Sequence, residues 1–108
     1  MMALSSKKRL KEGMALITRP LEAEIMKNIT SLYEEMINIH KNFLNQDWGE
    51  IEPEDWQRNN LSALGEGDGR IVAKYSLSTG NEVLVISEDL GECDSPVWVT
   101  TFMLPDEY

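Results

Sequence analysis

The residues best suited to covalent catalysis in this sequence are one histidine and one cysteine. His40 lies in a long apolar-periodic stretch that predicts a helix, whereas Cys93 lies in a distant loop. Nucleophilic catalysis needs a nucleophile, a base and a group that orients the base, all within hydrogen-bond distance. A single histidine beside an apolar stripe is more often a packing or surface residue. The sequence therefore identifies no catalytic residue and favours a protein that is not an enzyme.

Metal and phosphate chemistry have equally little support. One Cys and one His fall short of the three or four ligands that a zinc site needs. The carboxylates of Asp89, Glu92 and Asp94 lack the spacing and the terminal glutamate of an EF-hand, which favours a solvated acidic loop. The segment GEGDG (65–69) follows a predicted helix and precedes a predicted strand, the reverse of a phosphate-binding loop. We expect no metal and no cofactor.

Carboxylates are abundant, and five of them lie in the segment DWGEIEPEDW (47–56) with two tryptophans. Gly49 permits a turn, and Pro53 suits the first turn of a helix, where the following two acids complement the helix dipole. Tryptophans this large are seldom exposed without a reason, so Trp48 and Trp56 are predicted to fill the seam between helices and sheet. We interpret this segment first as a joint between two helices and second as a candidate site.

The charge of the chain is distributed unevenly. Residues 1–20 carry five basic residues and one acidic residue, whereas residues 21–108 carry five basic and 18 acidic residues. A body this acidic disfavours nucleic acid and favours a protein partner with a basic surface. The cluster Lys7–Lys11 belongs to a predicted basic N-terminal arm over residues 1–12, for which phosphate contact is a weak alternative.

Three features predict a cytoplasmic protein that does not contact a membrane. No apolar run approaches the roughly 18 residues of a membrane span. The N-terminal basic residues are not followed by the apolar segment of a signal peptide. Cys93 has no second cysteine with which to form an internal disulfide, as is typical of a reducing compartment.

Apolar spacing in the first half of the chain predicts two helices. The first begins at Pro20 and ends near Asn45, and the second runs from Pro53 to about Leu64. The stripe of the first helix packs on the core or forms a seam with a partner helix, and its short length favours the core. The predicted stripe comprises Leu21, Ile25, Ile29, Leu32, Met36, Ile39 and Phe43, widened by Met26, Tyr33, Ile37 and Leu44.

The second half of the chain changes to an alternating pattern that predicts three strands. These are Arg70–Leu77, Glu82–Glu88 and Val97–Leu104, the first two joined by a hairpin loop. A short apolar run, Met14–Thr18, is a candidate fourth strand. The predicted fold is α+β, with two helices packed on one face of an antiparallel three- or four-stranded sheet, in a single domain over residues 13–108.

Six segments carry a resemblance to a known group of proteins: GMALITRPLEAEI, DWGEI, NNLSAL, GRIVAKY, VLVISED and VTTFMLPDEY, of which the last is the most specific. In this order they resemble small bacterial proteins of plasmids and other mobile elements. Members carry the label "plasmid-related protein", and some that of a type I restriction subunit. The resemblance implies the fold and the genomic context and supplies no catalytic residues. The chain departs from the group in its long helix, its 89–96 loop and its basic arm.

Three functions remain open from the sequence. The favoured one is an interaction protein that binds a basic host protein, for example as an inhibitor of a defence enzyme. The alternative is a small ligand-binding domain or enzyme with a site where the helix junction meets the sheet. The third is a homo-oligomer that uses the helix stripe or an exposed edge of the last strand. The candidate contact residues for a ligand or partner are Asp47, Trp48, Glu50, Asn60, Arg70 and Glu88.

Overall fold

The computed structural model describes residues 12–91 and 97–108. These residues form a four-stranded sheet and three α-helices, so the predicted α+β class is confirmed. Of the predicted arm, only Glu12 is among them, and Glu92, Cys93 and Asp94 lie outside them. The elements are β1 (Glu12–Ile17), α1 (Arg19–Lys27), α2 (Ile29–Leu44), α3 (Pro53–Ala63), β2 (Arg70–Ser76), β3 (Glu82–Asp89), β4 (Trp98–Met103) and a 3-10 turn (Pro105–Glu107).

The sheet has the strand order β1-β4-β3-β2. The predicted antiparallel meander β2-β3-β4 is confirmed, and β3 is central, which explains why its side chains are apolar on both faces. The candidate fourth strand is also present, but β1 pairs with β4 in the parallel direction, so the sheet is mixed rather than wholly antiparallel. The three helices lie between β1 and β2 in the chain, and these two strands occupy opposite edges.

The single long helix predicted from Pro20 to Asn45 is wrong, because the helix is interrupted at Asn28. This residue has φ −134° and ψ 44°, outside the helical region. Its N–H donates to the carbonyl of Ile25, and its own carbonyl accepts from the N–H groups of Ser31 and Leu32. Asn28 thus ends α1 and begins α2, and the apolar spacing continues across the break, which hid it from periodicity.

The core lies between the sheet and one face of the helices. Six of the seven residues predicted to form the central stripe of the long helix are buried, and the exception is Ile29. Of the four residues that were expected to widen this stripe, Met26, Tyr33 and Ile37 are exposed. The buried face of α2 is therefore narrower than its apolar surface. The core residues from the helices are Leu21, Ile25, Leu32, Met36, Ile39, Phe43 and Ala63, and the exposed apolar residues of α1 and α2 are Met26, Ile29, Tyr33 and Ile37.

No helix among the described residues is both long and apolar enough to cross a membrane.

Candidate functional site

The joint between α2 and α3 runs along the outer edge of β2. The N–H of Lys74 donates to the carbonyl of Trp48 (3.2 Å), and the N–H of Glu50 donates to the carbonyl of Lys74 (2.7 Å). Gly49 thereby forms a parallel bridge with Lys74. An open strand edge is a template for unwanted pairing, and the joint closes this one.

Gly49 allows the joint to approach β2 this closely. Its φ is +79°, in the left-handed region that residues with a side chain rarely adopt. A Cβ atom at this position would overlap the carbonyl oxygen of Lys74 and lie 2.8 Å from the ring of Tyr75. The turn predicted from Gly49 is therefore also a position of close backbone contact.

Trp48 is a fully buried core residue. Its ring meets that of Phe43 edge to face, with centroids 5.3 Å apart. Its indole N–H donates to Oδ1 of Asn60 at 2.9 Å, so the polar end of the ring is satisfied. Trp56 is half-buried and packs against the same core. Two predicted contact residues, Trp48 and Asn60, therefore come together, and their contact supports the scaffold.

Asn59, next to a predicted site residue, has a role that the sequence did not reveal. Its side chain is buried, its Nδ2 donates to the carbonyl of Val72 (2.8 Å), and its Oδ1 accepts from the N–H of Val72 (3.2 Å). The joint bonds to Lys74, and the carboxamide of Asn59 bonds to Val72, the previous residue of β2 whose backbone groups point outward. The carboxamide thus makes the two hydrogen bonds that a neighbouring strand would make there. A buried amide of this kind has no local sequence signal, because its partner is a distant backbone.

The joint and the first turn of α3 present four carboxylates, Asp47, Glu50, Glu52 and Glu54, which we call the acidic joint. All four residues are exposed. The Asp47 carboxylate accepts from the N–H of Gly49 (3.2 Å), and Glu50 accepts from the hydroxyl of Ser76. None of the four forms an ion pair with a basic residue in the described ranges.

The backbone under these carboxylates is held by a buried tyrosine. The hydroxyl of Tyr75 donates to the carbonyl of Asp47 at 2.6 Å. Burial raises the pKa of Tyr75 far above its ordinary value, and the Asp47 charge raises it further, so the phenol stays protonated and remains a donor. Asp47 and Glu50 are thus placed by contacts on both sides of Gly49.

A second polar region is a groove of about 250 Å³ beside α3 and the start of β2. The Arg70 guanidinium donates to the hydroxyl of Tyr108 and lies 5.4 Å from the centre of its ring. Nε of Arg70 is buried without a hydrogen-bond partner among the described residues. Arg58, which pairs with Asp55 at 3.5 Å, also lines the groove. The groove therefore places two guanidinium groups and a phenol beside the carboxylates of Asp55 and Asp68.

Asp68 orders the loop that forms the rim of this groove. Its carboxylate accepts from the hydroxyl of Ser62 (3.0 Å) and the N–H of Arg70 (3.1 Å). The hydrogen bond from Ser62 has the largest influence and lowers the pKa of Asp68; desolvation opposes it, and the hydrogen bond from the Arg70 amide lowers the pKa further. GEGDG is thus a structural connection in which Asp68 fixes the start of β2.

The six predicted contact residues fall into three groups. Trp48 and Asn60 form one buried contact, Asp47 and Glu50 belong to the acidic joint, and Arg70 lines the groove. Glu88 lies opposite Arg70 in the sheet register, but it is exposed and does not line the groove. Tyr108, quoted above only as part of a terminal segment, is the groove residue whose contact with Arg70 the sequence did not predict.

Residues 12–91 and 97–108 contain no group of three or more His, Cys, Asp or Glu side chains arranged to hold a metal ion.

Comparisons with protein-family models, curated proteins and solved structures give no match for this chain.

Proposed function

We propose that this chain is a non-enzymatic interaction protein whose acidic joint binds a basic surface of a protein partner. The observation that carries the proposal is the presentation of four exposed carboxylates by a joint that is fixed against β2 and the core. The resemblance to proteins of mobile elements suggests a host protein as the partner. A defence enzyme that binds nucleic acid would offer a suitable groove lined with Lys and Arg.

The electrostatic balance supports a basic partner. The described residues include six basic and 17 acidic side chains, a net charge of −11. Only two ion pairs occur among them, Arg58 with Asp55 and Lys74 with Glu82. Both pairs are partly exposed and leave the acidic joint unneutralised within the described ranges. A concentrated negative field accelerates encounter with a positively charged surface and disfavours nucleic acid.

The fixed backbone of the joint also supports recognition. Ordering a flexible loop on binding costs free energy, whereas a loop already held in place avoids that cost. Here the backbone of Trp48 and Glu50 bonds to Lys74, and the Asp47 carbonyl accepts from Tyr75. The carboxylates thus project from a surface whose backbone does not need to be ordered by the partner.

The test compares two variants with the same change of net charge. In one, Glu50, Glu52 and Glu54 are replaced by Gln; in the control, the exposed Glu22, Glu34 and Glu66 are replaced instead. Host proteins are captured on each purified protein at about 50 mM and about 150 mM salt, because screening weakens exposed charge pairs. We expect a basic partner that the joint variant loses and the control retains. Equal loss with both variants, or no basic partner at either salt concentration, contradicts the proposal.

A second candidate function is binding of a small anion in the groove beside Arg70. It is favoured by the unpartnered, buried Nε of Arg70 and by the nearby guanidinium of Arg58. A guanidinium recognises carboxylate or phosphate through paired hydrogen bonds. NMR titration with acetate and inorganic phosphate tests this candidate, which requires saturable shifts at the groove residues Asn59 and Val72 that disappear in Arg70→Gln.

A further inference from the structure

Part of the apolar surface that the core leaves uncovered lies in a groove between β1 and the helices. The groove has a volume of about 290 Å³, and its lining contains no Asp, Glu, Lys or Arg. Ile17 is 49% exposed, Tyr33 61% and Ile37 37%. These are large side chains on two different elements that face one depression. The groove residues used below are Ala15, Ile17, Tyr33, Ile37, His40 and Phe102.

The same region contains the open edge of the sheet. The N–H of Thr18 donates to the carbonyl of Phe102 at 3.0 Å, so Thr18 faces β4. The backbone N–H and C=O groups of successive residues in a parallel strand point to alternate sides of the strand. The backbone groups of Leu16 therefore face β4, and those of Ala15 and Ile17 face outward. At the opposite edge, the joint and Asn59 occupy the outward groups of β2. Among the described residues, no strand or joint covers β1 in the same way.

We propose that two copies of this chain associate through the edge of β1 and this groove. A two-fold axis beside β1 would pair β1 antiparallel with β1 of the second copy and extend the sheet to eight strands. The same axis would bring α2 of each copy beside the other, so Tyr33 and Ile37 would enter the partner groove. A closed pair of this kind uses one patch on both copies and leaves neither edge open.

The exposed apolar area accounts for most of such an interface. Seven large apolar side chains of β1, α1 and α2 are between about one third and two thirds exposed. At roughly 90 Å² of exposed surface each, the five on the helix side of the sheet supply ~450 Å² per copy, or ~900 Å² in all, just below the lower end of specific interfaces. Met14 and Leu16 point to the opposite face of β1, where they would meet their counterparts in the second copy. Backbone pairing at β1 adds to this. The seven residues are Met14, Leu16, Ile17, Met26, Ile29, Tyr33 and Ile37.

Charge favours a second copy over the basic partner of the acidic joint. A basic protein gains little from a groove whose lining contains no carboxylate, whereas a second copy can bury that lining without placing a carboxylate in it. The joint lies along β2, at the edge opposite β1, so the two surfaces do not compete. The proposal therefore stands independently of the partner of the acidic joint.

Sedimentation equilibrium of the full chain from about 1 to about 100 μM tests the association directly. We expect the mass to approach twice that of the 12.3 kDa chain as concentration rises. Tyr33→Glu and Ile37→Glu should each raise the dissociation constant at least tenfold. The control is Leu61→Glu, because Leu61 is 48% exposed on α3 and lies outside the groove. A monomer at all concentrations, or a dimer weakened equally by the control, overturns the proposal.

Amide hydrogen exchange separates edge pairing from contact through the groove alone. The N–H groups of Leu16 and Thr18 should be protected at every concentration, whereas those of Ala15 and Ile17 should become protected only in the dimer. Ala15→Pro removes one outward donor and leaves the hydrogen bonds to β4 in place, so it should weaken association without loss of the fold. A dimer in which Ala15 and Ile17 exchange as fast as in the monomer overturns the strand pairing.

Discussion

Replacing Gly49 by alanine tests whether the joint depends on its close contact with β2. The added Cβ would overlap the carbonyl of Lys74 and approach the ring of Tyr75 to 2.8 Å. Because a backbone oxygen cannot rotate away as a flexible side chain can, the joint itself has to move. That movement would break the two hydrogen bonds by which Trp48 and Glu50 hold Lys74.

The expected cost has two parts that a matched control can separate. A residue with a side chain in the left-handed region costs about 1–2 kcal/mol relative to glycine. Gly65 has φ +83° and nothing within 4 Å of the position that an added methyl group would occupy, so Gly65→Ala carries this conformational part alone. Gly49→Ala carries it too and loses two hydrogen bonds of about 1 kcal/mol each. We therefore expect a loss of about 3–4 kcal/mol at Gly49 against about 1–2 kcal/mol at Gly65.

Urea unfolding of the two variants beside the parent chain measures this difference. The free energies of unfolding are compared at equal slope, because a changed slope would signal a change in the unfolded or native ensemble. Gly80→Ala is a second control, with φ +94° and open space around the added methyl group. If Gly49→Ala destabilises the chain no more than these controls, the joint is not in close contact with β2, and our account of the acidic joint as a fixed surface fails.

Two further predictions concern Trp48 and Asp68. Trp48→Ala empties a fully buried site and leaves Oδ1 of Asn60 without its donor. We therefore expect the free energy of unfolding to fall by about 3–5 kcal/mol and the thermal midpoint by more than about 10 °C. A midpoint equal to that of the parent chain, measured by circular dichroism, would contradict this. Because the folded pKa of Asp68 is below its ordinary value of 3.8, its carboxylate stabilises the fold above that pH, and the contribution is lost as pH falls through the folded value. Asp68→Asn should therefore lower the midpoint at pH 7, and its effect should shrink as pH falls below 3.8; an effect that does not change with pH would refute the assignment.

The elements that the sequence predicted well are those with local signals. Pro53 marks the start of α3 within one residue, because proline fits the first turn and cannot lie inside a helix. Strand β2 follows from alternation and β3 from an apolar run, and the two are joined by the hairpin loop that contains Gly80. In each case the signal lies within the element or its adjoining turn, so the sequence alone is sufficient.

The features that the sequence did not predict depend on distant contacts. Asn28 is not a strong helix breaker, and the apolar spacing continues past it, so periodicity gave one helix instead of two. The parallel direction of β1 is set by its pairing with β4, which lies at the far end of the chain. The width of the buried face was overestimated at Tyr33 and Ile37, because apolar character alone does not show which side chains the sheet covers.

The candidate site shows the same division. Asp47 and Glu50 were identified from composition near a predicted joint, and both are exposed there. Asn59 was missed in favour of its neighbour Asn60, because the two amides differ only in what lies opposite them in the fold. Asn59 meets the backbone of β2, whereas Asn60 meets the indole of Trp48. Sequence spacing cannot distinguish these partners.

The two proposals together have a geometric consequence. Pairing at β1 would place β2 of each copy at the outer edges of an eight-stranded sheet, with an acidic joint along each edge. Seven strand spacings of about 4.8 Å separate those edges by roughly 34 Å. A partner with two basic surfaces at that separation would be held by both joints, which raises its apparent affinity without any new contact. Tyr33→Glu should then weaken capture of such a partner although Tyr33 is not in the acidic joint, whereas a partner with one basic surface should bind the monomeric variant and the parent chain equally.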